Sequence, residues 1–364
     1  MAKKKETKKK ETKKKETKEI KKAIKKPVKV EKLTDSDFIG SGSYLLDLAL
    51  SERRDGGYLL GSVVHISAKN HVGKSFLGLN CFAEAKGNKD LEKYKLILDE
   101  PEAANNFPMD ELFGKGMKKR ITFLPENREI ARTVQDWHDD ITNLNNHPYV
   151  YILDSFDALT SVDELKQKEA PTKGGYHTEK ASVSSSTFPK IVGPIKQHKS
   201  LFIMISQTRK NLGMGMEEET TSGGNAKDFY RSIYIQMKKV RTLHKEVRGK
   251  KIVVGSLVKF IIKKNKITGK IREVEVPIYT DYGMDDIESM VNWIMTHKFW
   301  EGGSWIDTCG DFIKGDDETK KWQKKELIAY IEENGLEQKL KDIVYECWMQ
   351  YEEEICTTRK KRYV

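Results

Sequence analysis

The sequence predicts an α/β fold: a mainly parallel central sheet covered by helices on both faces, a small C-terminal α+β lobe, and a disordered basic tail at the N-terminus. Three observations predict it. Short apolar runs of strand length alternate with helical patterns from Val63 onward, which is how a sheet buried on both faces reads. A Gly73-Lys74-Ser75 turn joins the first of those strands to a helix, a setting suited to phosphate. After Asp281 the alternation gives way to helical patterns at Ile287–His297 and Lys325–Glu333, around the glycine-rich stretch Glu301-Gly302-Gly303-Ser304-Trp305. The expected organisation is therefore a tail over 1–34, a core over 35–280 and a small domain over 281–364.

The tail repeats Lys-Lys-Lys-Glu-Thr at 3–7, 8–12 and 13–17. Its first thirty residues hold fifteen Lys and four Glu, which is the whole net charge of +11. Such a composition buries too little apolar area to offset the entropy of ordering, so disorder is expected. It serves either as an arm that binds phosphates without sequence preference or as a solubilising segment. The remainder is neutral, with 51 basic and 51 acidic residues, so any nucleic-acid affinity of the core needs a local patch.

Within the core, Leu45–Leu50 has the pattern of a short amphipathic helix and Gly56-Gly57 that of a turn. Strands are expected at Val63–Ile66, Leu96–Leu98, Ile121–Leu124, Val150–Leu153, Leu201–Ile205, Ile233–Met237, Val258–Ile262 and Val274–Pro277. Helices are expected over Phe76–Ala85, Ile130–Leu144 and Lys190–His198. The late strands have no helices between them, so the sheet should end in an antiparallel extension. No apolar run reaches bilayer length and no leader-like segment follows the N-terminus, so no membrane partner and a cytoplasmic location are expected, the host cytoplasm for a viral chain. Cys81, Cys309, Cys347 and Cys356 lack paired spacing, and buried free thiols are expected.

The chemistry starts at Ala68-Lys69-Asn70-His71-Val72-Gly73-Lys74-Ser75, followed by Phe76 at the helix start. Backbone N–H groups of such a loop cradle the phosphates of ATP, the lysine reaches the terminal phosphates, and the serine hydroxyl binds Mg²⁺. Ala68 stands where the usual pattern has glycine; if that position needs a positive φ, alanine costs ~1 kcal/mol. Tyr149–Leu153 is an apolar strand ending at Asp154, placed to hold the Mg²⁺ shell; the plain alternative is a buried strand whose Asp caps a turn. Asp99-Glu100-Pro101-Glu102 follows the neighbouring strand, where a general base for water attack would sit, and two glutamates compete for that role.

Ser206-Gln207-Thr208-Arg209, followed by Thr220-Thr221-Ser222-Gly223-Gly224-Asn225-Ala226 with Phe229-Tyr230, resembles the RecA-type homologous recombinases. So do Gly40-Ser41-Gly42 with Leu46–Leu50, Asp154-Ser155 with Ala158-Leu159-Thr160, and Val258 to Lys266, in order from about residue 36 to 315. The resemblance implies a RecA-like P-loop ATPase core, ATP and Mg²⁺ as cofactors, and self-association into a helical filament on single-stranded DNA that exchanges strands with homologous duplex, with single-strand-binding or mediator proteins as accessories. It makes Gln207 the sensor of the γ-phosphate. The loop after it, Thr208 to Ser222, would contact DNA through Arg209, with Leu212, Met214 and Met216 as wedges and Gly213, Gly215, Gly223 and Gly224 as flexible points. A second DNA-facing loop would lie between Asp163 and Ser186, with Gly174-Gly175-Tyr176-His177 and a serine run. Lys264 and Lys266 would reach a neighbouring subunit's nucleotide, and Phe229 would lie near that interface. Aligning Asn106 with the family's adenine-side position favours Glu102 over Glu100 as the catalytic glutamate.

Several features depart from the family. The glutamates are shifted relative to Asp99, Asp228 stands where lysine is common, no N-terminal docking helix is evident unless Ile20 to Leu33 supplies one, and the C-terminus is basic. They mark a divergent member, as a phage-encoded chain would be. They also keep two other readings open: a DNA-coating filament protein that binds ATP without turnover, and a hexameric helicase of related core fold.

Overall fold

The computed structural model describes residues 32–102, 107–126, 131–144, 146–166, 176–210, 219–221, 224–315 and 320–359. In chain order the principal elements are α1 (Tyr44–Ser51), β1 (Ser62–Ala68), α2 (Lys74–Gly87), β2 (Lys95–Asp99), β3 (Ile121–Leu124), α3 (Val134–Asn143), β4 (Tyr149–Leu153), α4 (Tyr176–Gln197), β5 (Leu201–Lys210) and α5 (Gly224–Tyr230). They continue as β6 (Ile233–Val247), β7 (Lys250–Asn265), β8 (Glu273–Tyr279), β9 (Gly283–Met284), α6 (Asp286–Thr296), α7 (Lys324–Glu333) and α8 (Glu337–Ile355).

The strand order is β9-β8-β7-β6-β1-β5-β4-β2-β3. From β6 through β1, β5, β4 and β2 to β3 every pairing is parallel. From β6 to β9 every pairing is antiparallel, so the expected extension is there. All seven side chains of β1 are buried, as a strand with helices on both faces requires. Alternate residues go to opposite cores. Val64, Ile66, Leu96, Leu98, Ile203 and Ile205 pack with α1 and α2 residues, whereas Val63, Ile97, Tyr151, Phe202 and Met204 pack with Trp137 of α3 and Phe188 of α4.

Several elements differ from expectation, each for a local reason. α1 is buried all round and not amphipathic; its Asp47 carboxylate accepts the Ser41 amide at 2.9 Å, which lets an acid sit inside. α3 starts at Val134 because Thr133 and Asp136 form a reciprocal capping box. α4 begins at Tyr176, far upstream of Lys190, and includes the serine run expected in a loop. Ser184 and Ser185 donate to the carbonyls of Lys180 and Ala181, both at 2.7 Å, so these hydroxyls are satisfied within the helix. α8 carries Leu340, Val344 and Trp348 inward at helical spacing among 19 residues, a helix beyond those expected. Of the four free cysteines only Cys81 is buried; Cys309 and Cys356 are exposed, contrary to expectation. Among the described residues no helix is long and apolar enough to cross a membrane.

Strands β6 and β7 run well past the expected 233–237 and 258–262. Beyond Met237 β6 pairs only with β7, and from His244 and Val253 outward the two strands pair with no third among the described residues, up to Val247 and Lys250. Arg248 and Gly249 close the ribbon with φ of 52° and 74°, the doubly positive turn that matches strand twist. The ribbon side chains are mostly exposed and many are charged, with Val240, Val247, Ile252 and Val253 apolar yet exposed, so its strand character comes from cross-strand backbone bonds and not from a buried apolar face.

Candidate nucleotide site and nucleic-acid face

The phosphate loop leaves β1 at Ala68, which is fully buried and still in strand register with Gln207 on β5 and Met237 on β6. Alanine therefore carries no positive-φ penalty. The left-handed positions are His71 (φ 59°) and Gly73 (φ 96°). Gly73 is the N-cap of α2 and no side chain caps that helix, so its first amides are available to an anion. Lys69, Asn70 and His71 are exposed, Val72 and Phe76 are buried, and Lys74 and Ser75 lie between. The Lys74 ammonium folds back onto the Lys69 carbonyl at 3.0 Å.

Strand β4 delivers Asp154 opposite this loop. The Ser75 hydroxyl hydrogen-bonds the Asp154 carboxylate, whose pKa burial raises, with Glu102 adding to the rise and Lys74 opposing it. Burial lowers the Lys74 pKa against the pull of Asp154, Glu102 and Asp157. Uncapped amides, a lysine, a serine hydroxyl and a buried carboxylate in one place form a donor set that fits a nucleotide triphosphate with Mg²⁺.

The acidic cluster divides. Asp99 is fully buried and accepts two bonds from Arg132, at 3.1 and 2.9 Å, and a third from the Tyr151 hydroxyl. It is committed to structure. Glu100 is 4 % exposed, and its amide donates to the Leu124 carbonyl at 2.8 Å. Glu102 is exposed, accepts the Ser155 hydroxyl at 2.9 Å, and lies within electrostatic reach of Lys74 and Asp154. Of the two glutamates, Glu102 is the one on the phosphate side.

Gln207 ends the parallel part of β5 beside Ala68, and its amide donates to Asp157 Oδ2 at 2.7 Å. The segment after it is not all loop. β5 continues to Lys210 and pairs with Glu219–Thr221, Arg209 facing Thr220 in register, which makes the base of a hairpin. Gly224 opens α5. Asn106, Gly174, Gly175, Leu212, Gly213, Met214, Gly215, Met216, Ser222 and Gly223 lie outside the described residues, as does most of Ile20 to Leu33. Phe229 is 72 % exposed at the end of α5. Lys264 donates to the Asp228 carbonyl at 2.7 Å and Lys266 is exposed. Asp228 pairs with Arg231 at 2.8 Å.

Sequence reasoning missed two features of this face. The β6–β7 ribbon carries seven Lys or Arg and one Glu between Lys238 and Lys251, so it is the local basic patch that a neutral core needs. The charge run was legible, but with few apolar residues it did not read as strand. The second feature is a polar cluster behind Gln207, in which half-buried Asp157 accepts the Gln207 amide and the Lys180 ammonium, with buried Lys227 nearby.

The family model for the RecA N-terminal domain matches residues 8–285. Curated relatives include Protein RecA of Borrelia turicatae, 28% identical over 320 residues, covering 85% of this chain and 80% of that protein. Protein RecA of Colwellia psychrerythraea is 27% identical over 281 residues, covering 77% and 76%. Protein RecA of Geobacter metallireducens is 27% identical over 308 residues, covering 83% and 86%.

Proposed function

The chain belongs to the RecA family, and from that premise we propose that it is an ATP-driven recombinase that coats single-stranded DNA as a helical filament, takes up homologous duplex and exchanges strands. The observation that carries the ATP part is the meeting of Lys74, Ser75, Asp154 and Glu102 at the uncapped start of α2. In this reading the loop amides and Lys74 bind the β- and γ-phosphates of ATP, and Ser75 with Asp154 holds Mg²⁺. The ion supplies charge neutralisation on the phosphate oxygens. Glu102 takes the proton of the attacking water, with Ser155 holding its carboxylate in place. Gln207, one strand from the phosphate loop, carries the nucleotide's state to the segment after it. Lys264 and Lys266, with the exposed Phe229, serve the contact with the next subunit.

The β6–β7 ribbon supports DNA binding by supplying exposed cations on a core with no net charge. Arg209, with Leu212, Met214 and Met216, serves the single strand, and Gly174-Gly175 belongs to the second DNA-facing segment. The loss of any φ penalty at Ala68 removes one motive for a non-hydrolysing protein. Electron microscopy with single-stranded DNA and a non-hydrolysable ATP analogue tests the assembly: helical filaments are expected, and closed rings or monomers defeat it. Absence of both DNA-stimulated ATPase and strand exchange with ATP and Mg²⁺ defeats the activity.

A further inference from the structure

The large sheet has an open edge along most of β8. β9 pairs only with Ile278 and Tyr279, so from Glu273 to Pro277 the strand has β7 on one side and no strand on the other among the described residues. The register tells which backbone groups this leaves open. The Ile262 amide donates to the Arg272 carbonyl at 2.9 Å, in step with the pairs Phe260–Val274 and Val258–Val276. Bonded and unbonded pairs alternate in an antiparallel ladder, so Glu273 and Glu275 turn their N–H and C=O groups away from β7. Pro277 is in the same phase, and its carbonyl accepts the Asp285 amide at 2.9 Å on that outer side.

A cleft of about 660 Å³ lies on this edge. Glu273 and Glu275 point to one face of β8 and Val274 to the other, yet all three line the cleft, so it runs beside the strand and not over a face. Its far wall is aromatic: Trp293 stacks on His297 and Trp348, at 4.3 and 5.2 Å, and meets Tyr351 edge-on at 6.0 Å. Ile271 and Ile355 line it as well and are 52 % and 47 % exposed. Charge is the usual guard of a sheet edge. Here Lys259 pairs with Glu273 and Glu275, at 2.9 and 3.3 Å, and Arg272 is held by Glu352. The lining cation left over is Arg241 of β6, exposed and without an ion pair among the described residues, with Lys238 and Lys239 just before it.

We propose that this edge and its cleft form a docking groove for an extended acidic peptide of a partner protein, which pairs its backbone with Glu273 and Glu275 as an added strand, lays an aromatic or apolar side chain against Trp293 and Tyr351, and sets a carboxylate on Arg241. Backbone donors and acceptors repeating every second residue are answered by another extended chain, and the pocket beside them selects a side chain. Nucleic acid could answer Arg241 but has no such repeat for the edge. The chain's own end, Lys360-Lys361-Arg362, carries the wrong charge for Arg241 and the lysines beside it. The proposal goes beyond the recombinase reading and does not depend on it.

The test selects random phage-displayed peptides on the full chain and titrates the enriched sequences as end-blocked synthetic peptides. Expected are acidic peptides with one aromatic or large apolar residue. Glu275→Pro removes an outward N–H without touching a bond to β7, and Pro277 shows that the strand takes proline in this phase. Its melting midpoint should hold while peptide affinity falls by about ten-fold or more. Arg241→Glu should weaken the same peptides, and Ile355→Ser should do so without altering the fold. A second measurement needs no variant: methylating alternate peptide amides should abolish binding in one phase and spare it in the other, as strand addition alone requires. Peptides that tolerate methylation in both phases, or bind Glu275→Pro as well as the parent, overturn the groove, as does a selection that yields no binder or only basic ones. Binding that appears only after residues 360–364 are removed gives the edge to the chain's own end. A dimer of the parent that Glu275→Pro dissolves gives it to a second copy, and a loss of DNA affinity in that variant gives it to nucleic acid; each of these overturns the partner peptide.

Discussion

The hydroxyl of Ser155 donates to Oε1 of Glu102 at 2.9 Å, holding an otherwise exposed carboxylate over the phosphate loop. Glu102→Gln should lower turnover by roughly 10²- to 10⁴-fold, the range for removal of a general base, and leave DNA binding with bound ATP intact. Glu100→Gln should act on stability and not on turnover, because Glu100 is buried. Single-turnover ATPase assays and filter binding on the two variants separate these outcomes; turnover lost in Glu100→Gln alone would reverse the assignment.

Lys74→Ala should abolish the stabilisation that nucleotide confers. A ligand at one hundred times its Kd adds about 2.7 kcal/mol to a folded protein, and a melting scan with ATP and Mg²⁺ reads this directly. Ser75→Ala should keep part of the ATP shift and lose its dependence on Mg²⁺. A Lys74→Ala protein that ATP still stabilises in full places the nucleotide elsewhere.

The ribbon prediction concerns salt. Every DNA phosphate that a variant no longer neutralises should reduce the slope of log K against log salt by about 0.7 for single-stranded DNA. Lys238, Lys239, Lys250 and Lys251 are exposed and outside the core, so replacing them with alanine should leave the melting midpoint unchanged. Titrations of the four-fold variant at several salt concentrations check the slope, and an unaltered one removes the ribbon from DNA binding.

What was legible in advance follows from physics. The parallel strands are short, nearly continuous apolar runs because both faces are covered, and Val63–Ile66 and Val150–Leu153 read as strands by their length and β-branched content. The phosphate loop and Asp154 stood out as candidates because their chemistry requires fixed residue types at short spacing, whereas the choice of Glu102 over Glu100 came from the family resemblance. The ribbon was not, since Lys238 to Val247 is held by backbone bonds that leave no periodic trace. The serine run in α4 misled because serine favours turns, and only the helix's own carbonyls show that its hydroxyls are content there. The bond from the Gln207 amide to Asp157 joins residues fifty positions apart, which a linear reading does not register.

Arg132 and Asp99 make a buried ion pair, their side chains 6% and 0% exposed. Arg132→Met leaves the carboxylate buried without its cation and should cost roughly 3–5 kcal/mol, whereas joining it to Asp99→Leu should restore much of that. Denaturant unfolding of the single and double variants measures both. A single variant as stable as the parent would mean that the Tyr151 hydroxyl alone satisfies Asp99.

Asp286, at the start of α6, accepts the Tyr44 amide at 2.8 Å, and burial raises its pKa from 3.8 to about 6. Between these two values the folded chain holds a proton that the unfolded chain has released, so stability falls as pH rises through the interval and then levels off. Above pH 6 the ionised carboxylate is therefore a standing cost, offset only in part by Lys341. Asp286→Asn keeps an oxygen for the Tyr44 amide and has nothing to ionise. It should stabilise the chain at neutral pH by on the order of 2 kcal/mol, the partial exposure of the group allowed for, and make no difference below pH 3.8. Unfolding free energies of parent and variant from pH 3.5 to 8 should diverge across that interval; parallel curves would mean that Asp286 titrates in the folded chain as it does in water.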